Sequence, residues 1–260
     1  MKVTDLDRDL SAIFVTSEDV DSTYLYRRMA EVAYAELRAR PTDLVADIAA
    51  GVGRDARALA ARGLRAVNVE PSATLTELEK LLAERESWTD LGSQVTRTRA
   101  WGESLPFRSA SFAATLCKGS LDHFDDPGAC IAEMARVTHS NGRVVLAVAN
   151  MEALGLRLAR LGRRRRARLE DAQRHHYDAP PDHLTRYDPA LLREQASRSI
   201  EIESWVGVSL FWGNQRWGAL LARMPATVVD WLLRGADAVA RAFPSLADVI
   251  IVAGRPRRRS

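Results

Sequence analysis

The 260-residue chain is 47% apolar and 27% charged, with a formal net charge of +3, a balance that suits a globular protein with a sizeable core. Its two cysteines, Cys117 and Cys130, are too few for a disulfide framework and lack the CxxC spacing of zinc or dithiol chemistry. No apolar run approaches the roughly 18 residues of a membrane span, and the acidic stretch Met1–Leu10 lacks the basic start and apolar core of a signal peptide, so a cytoplasmic setting is expected.

Leu25, Met29, Val32, Ala33 and Leu37 recur near a 3.6-residue period, which predicts a helix over Tyr24–Arg40 ending at Pro41. Leu44–Ile48 reads as a buried strand, followed by Gly51 and Gly53 and a helix over Arg54–Arg62 that stops at Gly63. Ala66–Val69 is a second strand, and Ser72 is placed to cap a helix over Ser72–Glu86. Strands are predicted at Val95–Thr98 and Phe112–Cys117, the latter placing Cys117 in the core. Asp126-Pro127 opens a helix to Val137, Asn141-Gly142 reads as a turn, and Arg143–Ala149 is a fifth strand.

Farther on, Glu152–Gln173 is a helical segment with an arginine run and Pro189–Ser197 a short helix. Glu201–Val208 alternates like a strand. Gln215–Phe243 reads as two helices split at Pro225, Asp248–Ala253 as a last strand, and Arg255–Ser260 as a frayed basic tail.

Five strand–helix alternations in the first 150 residues demand a mostly parallel sheet with helices on both faces. The expected fold is α/β and Rossmann-like, with seven strands and a helical cap between the last two. The organisation that follows is an N-terminal helical lid (1–40), a ligand-binding core (41–150), the rest of the sheet with its cap (151–254) and the tail. In such sheets ligands bind outside the carboxyl ends of the strands. Here those ends are Asp47–Gly53, Glu70-Pro71, Trp101–Glu103 and Cys117–Ser120, converging on one crevice.

Asp47-Ile48-Ala49-Ala50-Gly51-Val52-Gly53 delivers a strand to a turn without side-chain bulk, where a ligand can lie against backbone. Asp47 is four residues before the first glycine, placed to meet an ammonium-bearing ligand. Glu70, seventeen residues after Gly53, can accept both hydroxyls of a ribose. Further on stand Gly102-Glu103-Ser104-Leu105-Pro106-Phe107, Leu121-Asp122-His123-Phe124-Asp125-Asp126-Pro127 and Arg136-Val137-Thr138-His139-Ser140-Asn141-Gly142-Arg143.

Over residues 40–150 this ordered set resembles the class I S-adenosylmethionine-dependent methyltransferases, in particular the ubiquinone and menaquinone biosynthesis type (methyltransferase domain, type 11). The resemblance implies S-adenosylmethionine as cofactor, S-adenosylhomocysteine as product, and no metal. It implies that Ala49, Gly51 and Gly53 admit the methionine portion, that Glu70 and Pro71 take the ribose, and that Gly102 and Glu103 face adenine. Lys118 and Gly119 would line the methionine side. Trp101 stands where the family often has an acid; it cannot accept from the adenine amino group, so it would pack on the ring. Lys118 replaces a small or neutral residue and either meets the cofactor carboxylate or is solvated. Tyr24, Arg27 and Arg28 belong to a region that closes over the cofactor in similar enzymes; an arginine there is either a carboxylate clamp or part of a solvated face.

Methyl transfer from a sulfonium is an in-line displacement that asks chiefly for alignment, exclusion of water and sometimes a base. The base candidates are His123, after the fourth strand, and His183 and Tyr187, from the cap. The acceptor is expected to be a small molecule. Trp205, Phe211, Trp212, Trp217, Trp231 and Leu232 either line an apolar pocket for it or form the cap's own core.

Nucleic acid is a weaker acceptor, since the Asn/Asp-Pro-Pro-aromatic and Pro-Cys signatures are absent. Arg163–Arg166 with Arg168 could nevertheless grip phosphate. Residues 151–260 hold 19 basic and 12 acidic side chains, against 18 and 22 before them. With 34 arginines and three lysines that excess also fits a general arginine bias. A dinucleotide oxidoreductase is the second class, because Gly51–Ala56 also fits GxGxxA; Asp47, in a strand normally apolar there, speaks against it. A catalytically silent cofactor-binding partner is the third. The sequence does not define an oligomeric state.

Overall fold

The structure, a computed structural model, describes residues 19–85, 94–166 and 184–257, with the backbone alone at 85 and 162–166. Seven strands form one sheet: β1 (Leu44–Ile48), β2 (Arg65–Val69), β3 (Val95–Thr98), β4 (Phe112–Lys118), β5 (Thr138–Ala149), β6 (Ile200–Val208) and β7 (Val249–Pro256). Their order is β3-β2-β1-β4-β5-β7-β6. The first five run parallel, and β7 alone is antiparallel, between β5 and β6. The order reverses between β1 and β4, so the crevice of this open sheet lies at their carboxyl ends.

Helices cover both faces. On one, Leu25, Met29, Ala33 and Leu37 of α1 (Val20–Leu37) and Ala56 and Leu59 of α2 (Arg54–Ala60) pack on Val45, Leu116, Val145 and Ile251. On the other, Ile131 and Met134 of α4 (Pro127–Val137) and Leu192 and Ala196 of α6 (Pro189–Ser199) pack on Ile48, Leu146 and Val252. α3 (Ala73–Arg85) is capped as expected, Leu75 N–H donating to Ser72 Oγ at 3.0 Å. α4 begins at the expected Asp126, whose side chain accepts from Ala129 N–H at 2.9 Å. Cys117 and Cys130 are both buried thiols.

Three expectations are corrected. α1 ends at Leu37, short of the expected Arg40, because Arg38 adopts the left-handed conformation (φ 49°). Asn141-Gly142 is no reversal: β5 begins at Thr138 and shifts register between Phe112 and Ala114 of β4. Residues 139–141 bulge into solvent, and Gly142 returns so close to β4 that a Cβ would lie 2.4 Å from the Ala113 carbonyl oxygen. The basic tail starts later, since Arg255 and Pro256 pair with Glu201 and Ile200 in β7.

The same closeness governs Gly254. β6 carries an irregularity between Ile202 and Ser204 opposite it. A Cβ at Gly254 would stand 2.0 Å from the Glu201 carbonyl oxygen and 2.7 Å from Ile200 Cγ2. Because the first obstacle is backbone, Gly254→Ala is expected to lower unfolding free energy by about 2–3 kcal/mol, measured by urea denaturation. An unchanged midpoint would show that β6 yields freely.

α7 (Gln215–Leu221) and α8 (Ala226–Ala242) form the insertion between β6 and β7. They join α1 through a cluster of Tyr24, Leu221, Val229 and Leu233. α1 therefore lies on the sheet face, and its first turn reaches the carboxyl edge, where Trp212 Nε1 donates to Ser22 Oγ at 3.0 Å.

Candidate functional site

At the end of β1 the chain takes three left-handed residues in five: Ala49 (φ 54°), Gly51 (φ 56°) and Gly53 (φ 72°). The two glycines serve different ends. A Cβ on Gly51 would meet nothing within 4 Å, so this turn opens onto free space. A Cβ on Gly53 would lie 2.7 Å from Asn68 Nδ2 and from Glu79 Oε1. Gly53 is thus a packing glycine over a buried Asn68–Glu79 hydrogen bond of 2.6 Å, which Arg97 joins at 3.0 Å from Glu79. The same division holds across the crevice. Gly119 (φ 70°) is open, whereas Gly102 is closed off by Phe124 Cε1 at 2.5 Å and Cys130 Sγ at 3.0 Å.

Glu70, buried at the end of β2, bridges this turn to the next helix. Its Oε2 accepts from Gly51 N–H at 2.8 Å and its Oε1 from Ser72 N–H at 2.9 Å. These two bonds aim the carboxylate at the mouth of the turn. Pro71, beside it, has its carbonyl oxygen 3.1 Å from Arg99 Nη2.

Asp47 is buried beneath the turn, and its Oδ2 has no hydrogen-bond partner. Burial, then the Asp55 carboxylate, hold its carboxyl well above the ordinary range, with Lys118 and the Ala56 N–H opposing. A buried orphan acceptor is costly, and a cationic donor is what it lacks.

Lys118 and Arg28 depart from both expected situations. Lys118 Nζ pairs with Asp55 Oδ2 at 3.2 Å, each side chain 14% exposed. The Tyr34 hydroxyl donates to Asp55 as well. Lys118 is thus neither solvated nor left to a ligand carboxylate. The Arg28 guanidinium reaches Asp237 Oδ2 at 3.2 Å and also pairs with Glu31, so it binds α1 to α8 instead of clamping an anion in the crevice. Tyr24 lies in the α1–α7–α8 cluster, with Arg27 over its ring at 5.5 Å.

The Trp101–Phe107 segment is anchored from α4. Glu133 Oε2 accepts from Leu105 N–H at 2.9 Å, and Arg136 donates to the carbonyls of Leu105 and Phe107 at 3.0 and 2.8 Å. This fixes Gly102, buried, and Glu103, half-buried, beside a Trp101 that is 38% exposed. Ser120 Oγ donates to the Ala49 carbonyl at 3.1 Å, tying the β4 end to the β1 turn.

Of the base candidates, His123 is half-buried in the 3-10 turn Leu121–His123, directly after Gly119-Ser120. Tyr187 is not at the crevice surface. It is 1% exposed within the main core, its hydroxyl donates to Gln195 Oε1 at 2.7 Å, and burial pushes the phenol above its ordinary value. His183, Arg168 and His175-His176 lie outside the described residues, as do the side chains of Arg163–Arg166.

Phe211 and Trp217 meet, their ring centroids 5.7 Å apart, but the cap aromatics form no single cluster. Trp205 packs on the core under Arg193, 4.4 Å from its ring centroid, Trp212 belongs to the α1 face, Trp217 to the Tyr24 cluster and Phe211 to a fourth cluster. Trp231 is 73% exposed. They are local cores and surface, not one acceptor pocket. Among the described residues no group of His, Cys, Asp and Glu is placed to hold a metal ion, and no helix is long and apolar enough to cross a membrane.

Sequence missed Tyr34, Asp55, Asn68 and Glu79. Only Asp55 carried a local signal, as an acid in the first turn of α2; the others act through partners distant in sequence.

Residues 46–146 match the family model of the methyltransferase domain. The uncharacterized methyltransferase YcgJ of Bacillus subtilis is 30% identical over 102 residues, covering 39% of each chain. A demethylmenaquinone methyltransferase of Renibacterium salmoninarum is 28% identical over 54% of this chain and 55% of its own. The chain thus spans about half or less of the curated relatives it matches. In fold, the crystal structure of YcgJ aligns over 90% of this chain and all of its own, with TM-score 0.57 and 18% identity. The [4+2]-cyclase SpnF aligns over 88% and 80%, with TM-score 0.59 and 17% identity.

Proposed function

We propose, for a chain whose residues 46–146 match the methyltransferase domain, that the protein is a class I S-adenosylmethionine-dependent methyltransferase that transfers the sulfonium methyl group to a small molecule. The observation that carries this reading is the pairing of a ribose-competent carboxylate with an orphan buried acceptor across one open turn. Glu70 holds the Gly51 N–H at the edge of that turn, and Asp47 Oδ2 has no partner. The ribose hydroxyls suit the first, the α-ammonium the second. Gly51 and Gly119, both open, leave room between them for the methionine chain. Trp101 is exposed at the rim, where it would stack on adenine.

The cofactor supplies an activated methyl group when bound. The residues of this chain align it: Glu70 and Asp47 fix the two polar ends, and Ser120 holds the β1 and β4 ends together. His123, half-buried after the β4 end, is the group we assign to take a proton from an acceptor. The acceptor we infer is a small metabolite with an apolar or aromatic part, bound beside the β4 end, in a cytoplasmic protein.

A second reading has one specific support. SpnF shares the fold and is a [4+2]-cyclase, so a fold of this kind hosts chemistry other than methyl transfer. Calorimetric titration with S-adenosylhomocysteine, with NADH as control, tests the cofactor. Micromolar binding of the nucleoside and none of NADH is expected; the reverse would turn the reading to a dinucleotide enzyme. Methyl transfer is then read with methyl-labelled S-adenosylmethionine against phenol, amine and carbon-acid acceptors. Intact binding without turnover on any class would favour the silent or non-transferring reading.

A further inference from the structure

β1 and β4 pair in a register that sets Asp47 opposite Leu116. Side chains alternate along a strand, so Asp47 and, two residues beyond Leu116, Lys118 share one face of the sheet. It is the face that α1 and α2 cover. From those helices Tyr34 and Asp55 meet the strand residues. Asp55 Oδ2 stands 3.2 Å from Lys118 Nζ, and Asp55 Oδ1 accepts from the Tyr34 hydroxyl. Asp47 is 1% exposed, and its Oδ2 has no partner. Two carboxylates thus share one lysine, and the lysine sits on the carboxylate that is already hydrogen-bonded.

The charges around Asp47 decide what this arrangement can do. Basic residues gather elsewhere in the chain: α5 (Leu154–Arg166) alone carries six arginines, whereas Lys118 is the single basic residue of β4. Tyr34 stays a neutral donor, because burial and then the Asp55 charge raise its phenol. Arg62 lies over the Tyr34 ring at 4.8 Å but is exposed, so water and salt screen it. Glu70 acts on Asp47 too, as the weakest of its neighbours, with its own charge held by the Gly51 and Ser72 N–H groups. Burial and Asp55 therefore favour a proton on Asp47, against Lys118 and the Ala56 N–H. Lys118 offsets one of two negative charges, and a cation or a proton must meet the other.

We propose that Lys118 and Asp55 are positioning residues that leave the Asp47 pocket one positive charge short, so that it holds a proton when empty and exchanges it for the α-ammonium of the cofactor. The carboxyl O–H bond of Asp47 breaks, the proton goes to the bulk buffer, and the carboxylate pairs with the arriving ammonium. The inference rests on the cofactor reading above and adds to it that binding is linked to pH, with Lys118 and Asp55 setting the pH range. A ligand with the same nucleoside and no ammonium has nothing to exchange.

Calorimetry from pH 5 to 9 tests this with S-adenosylhomocysteine and with 5′-methylthioadenosine, which lacks the amino-acid portion. S-adenosylhomocysteine is expected to release up to about one proton, read as a difference in binding enthalpy between phosphate and Tris buffers at one pH. Its affinity should rise by up to about tenfold per pH unit until Asp47 is ionised in the empty site. The thioadenosine should bind more weakly and release none. Lys118→Met should weaken S-adenosylhomocysteine at least tenfold at pH 7 and move the affinity profile to higher pH. Lys118→Arg keeps the charge and should restore the profile. Asp55→Asn should move it to lower pH, an opposite shift that a folding defect does not produce. Equal proton release with both nucleosides, none with S-adenosylhomocysteine, or a Lys118→Met loss of the same size at every pH would overturn the proposal and leave the cofactor reading standing. Failure of both nucleosides to bind would remove the cofactor reading, and the proposal with it.

Discussion

Replacing Glu70 with alanine is expected to weaken S-adenosylhomocysteine binding about 100-fold or more, the largest single loss the site predicts. Hydrogen bonds to a charged group are each worth about 1.5–3 kcal/mol, and two ribose hydroxyls on one carboxylate reach that loss together. The substitution also removes the acceptor of Gly51 N–H at 2.8 Å and of Ser72 N–H at 2.9 Å. It should therefore cost about 1–3 kcal/mol of stability as well. Glu70→Gln separates the two effects. Its amide oxygen can keep one backbone donor and its amine cannot accept from a hydroxyl, so affinity should fall at least tenfold with less loss of stability. Calorimetry at a temperature where both variants are folded reads the outcome. Unchanged affinity in Glu70→Ala would remove the ribose role.

The parts of this molecule that were legible in its sequence are those whose signals are local. Asp126-Pro127 marks the first residue of α4, because a cap and a proline act within one turn. Ser72 caps α3 for the same reason. The converging strand ends follow from a parallel sheet and its order. Asn141-Gly142 carried turn chemistry that the fold spends on a bulge, since whether a loop reverses or rejoins depends on the register of β4, which is not local. Charged side chains were the least legible. Lys118 and Arg28 look like free cations in sequence, yet Asp55 and Asp237 take them, across 63 and 209 positions. The cap aromatics share a stretch of sequence but are shared out among four clusters and the surface. Composition could not distinguish a pocket from several small cores.

Asp47 concentrates the tension between holding the fold and holding a ligand. Asp47→Asn is expected to make the ligand-free protein more stable above neutral pH, by about 1–3 kcal/mol, while weakening cofactor binding about tenfold. The sign follows from linkage. The folded carboxyl is held well above its ordinary 3.8 by burial first and Asp55 next. The unfolded chain gives up its proton near 3.8, so the contribution of this group to stability is fully present below that value. The wild type loses stability as pH rises toward the folded pKa, after which the full cost of a buried, incompletely paired charge remains. Asparagine does not titrate. Its carbonyl can still accept from the Ala56 N–H, while its amine would sit where Oδ2 now lacks a donor. An ammonium arriving there would meet N–H groups in place of an anion. Urea unfolding from pH 5 to 9 should show a wild-type decline that the variant lacks, and calorimetry at pH 8 should show the weaker binding. A variant less stable at pH 8 than the wild type would mean that the carboxylate is already satisfied in the ligand-free fold. Undiminished affinity would move the ammonium elsewhere in the crevice.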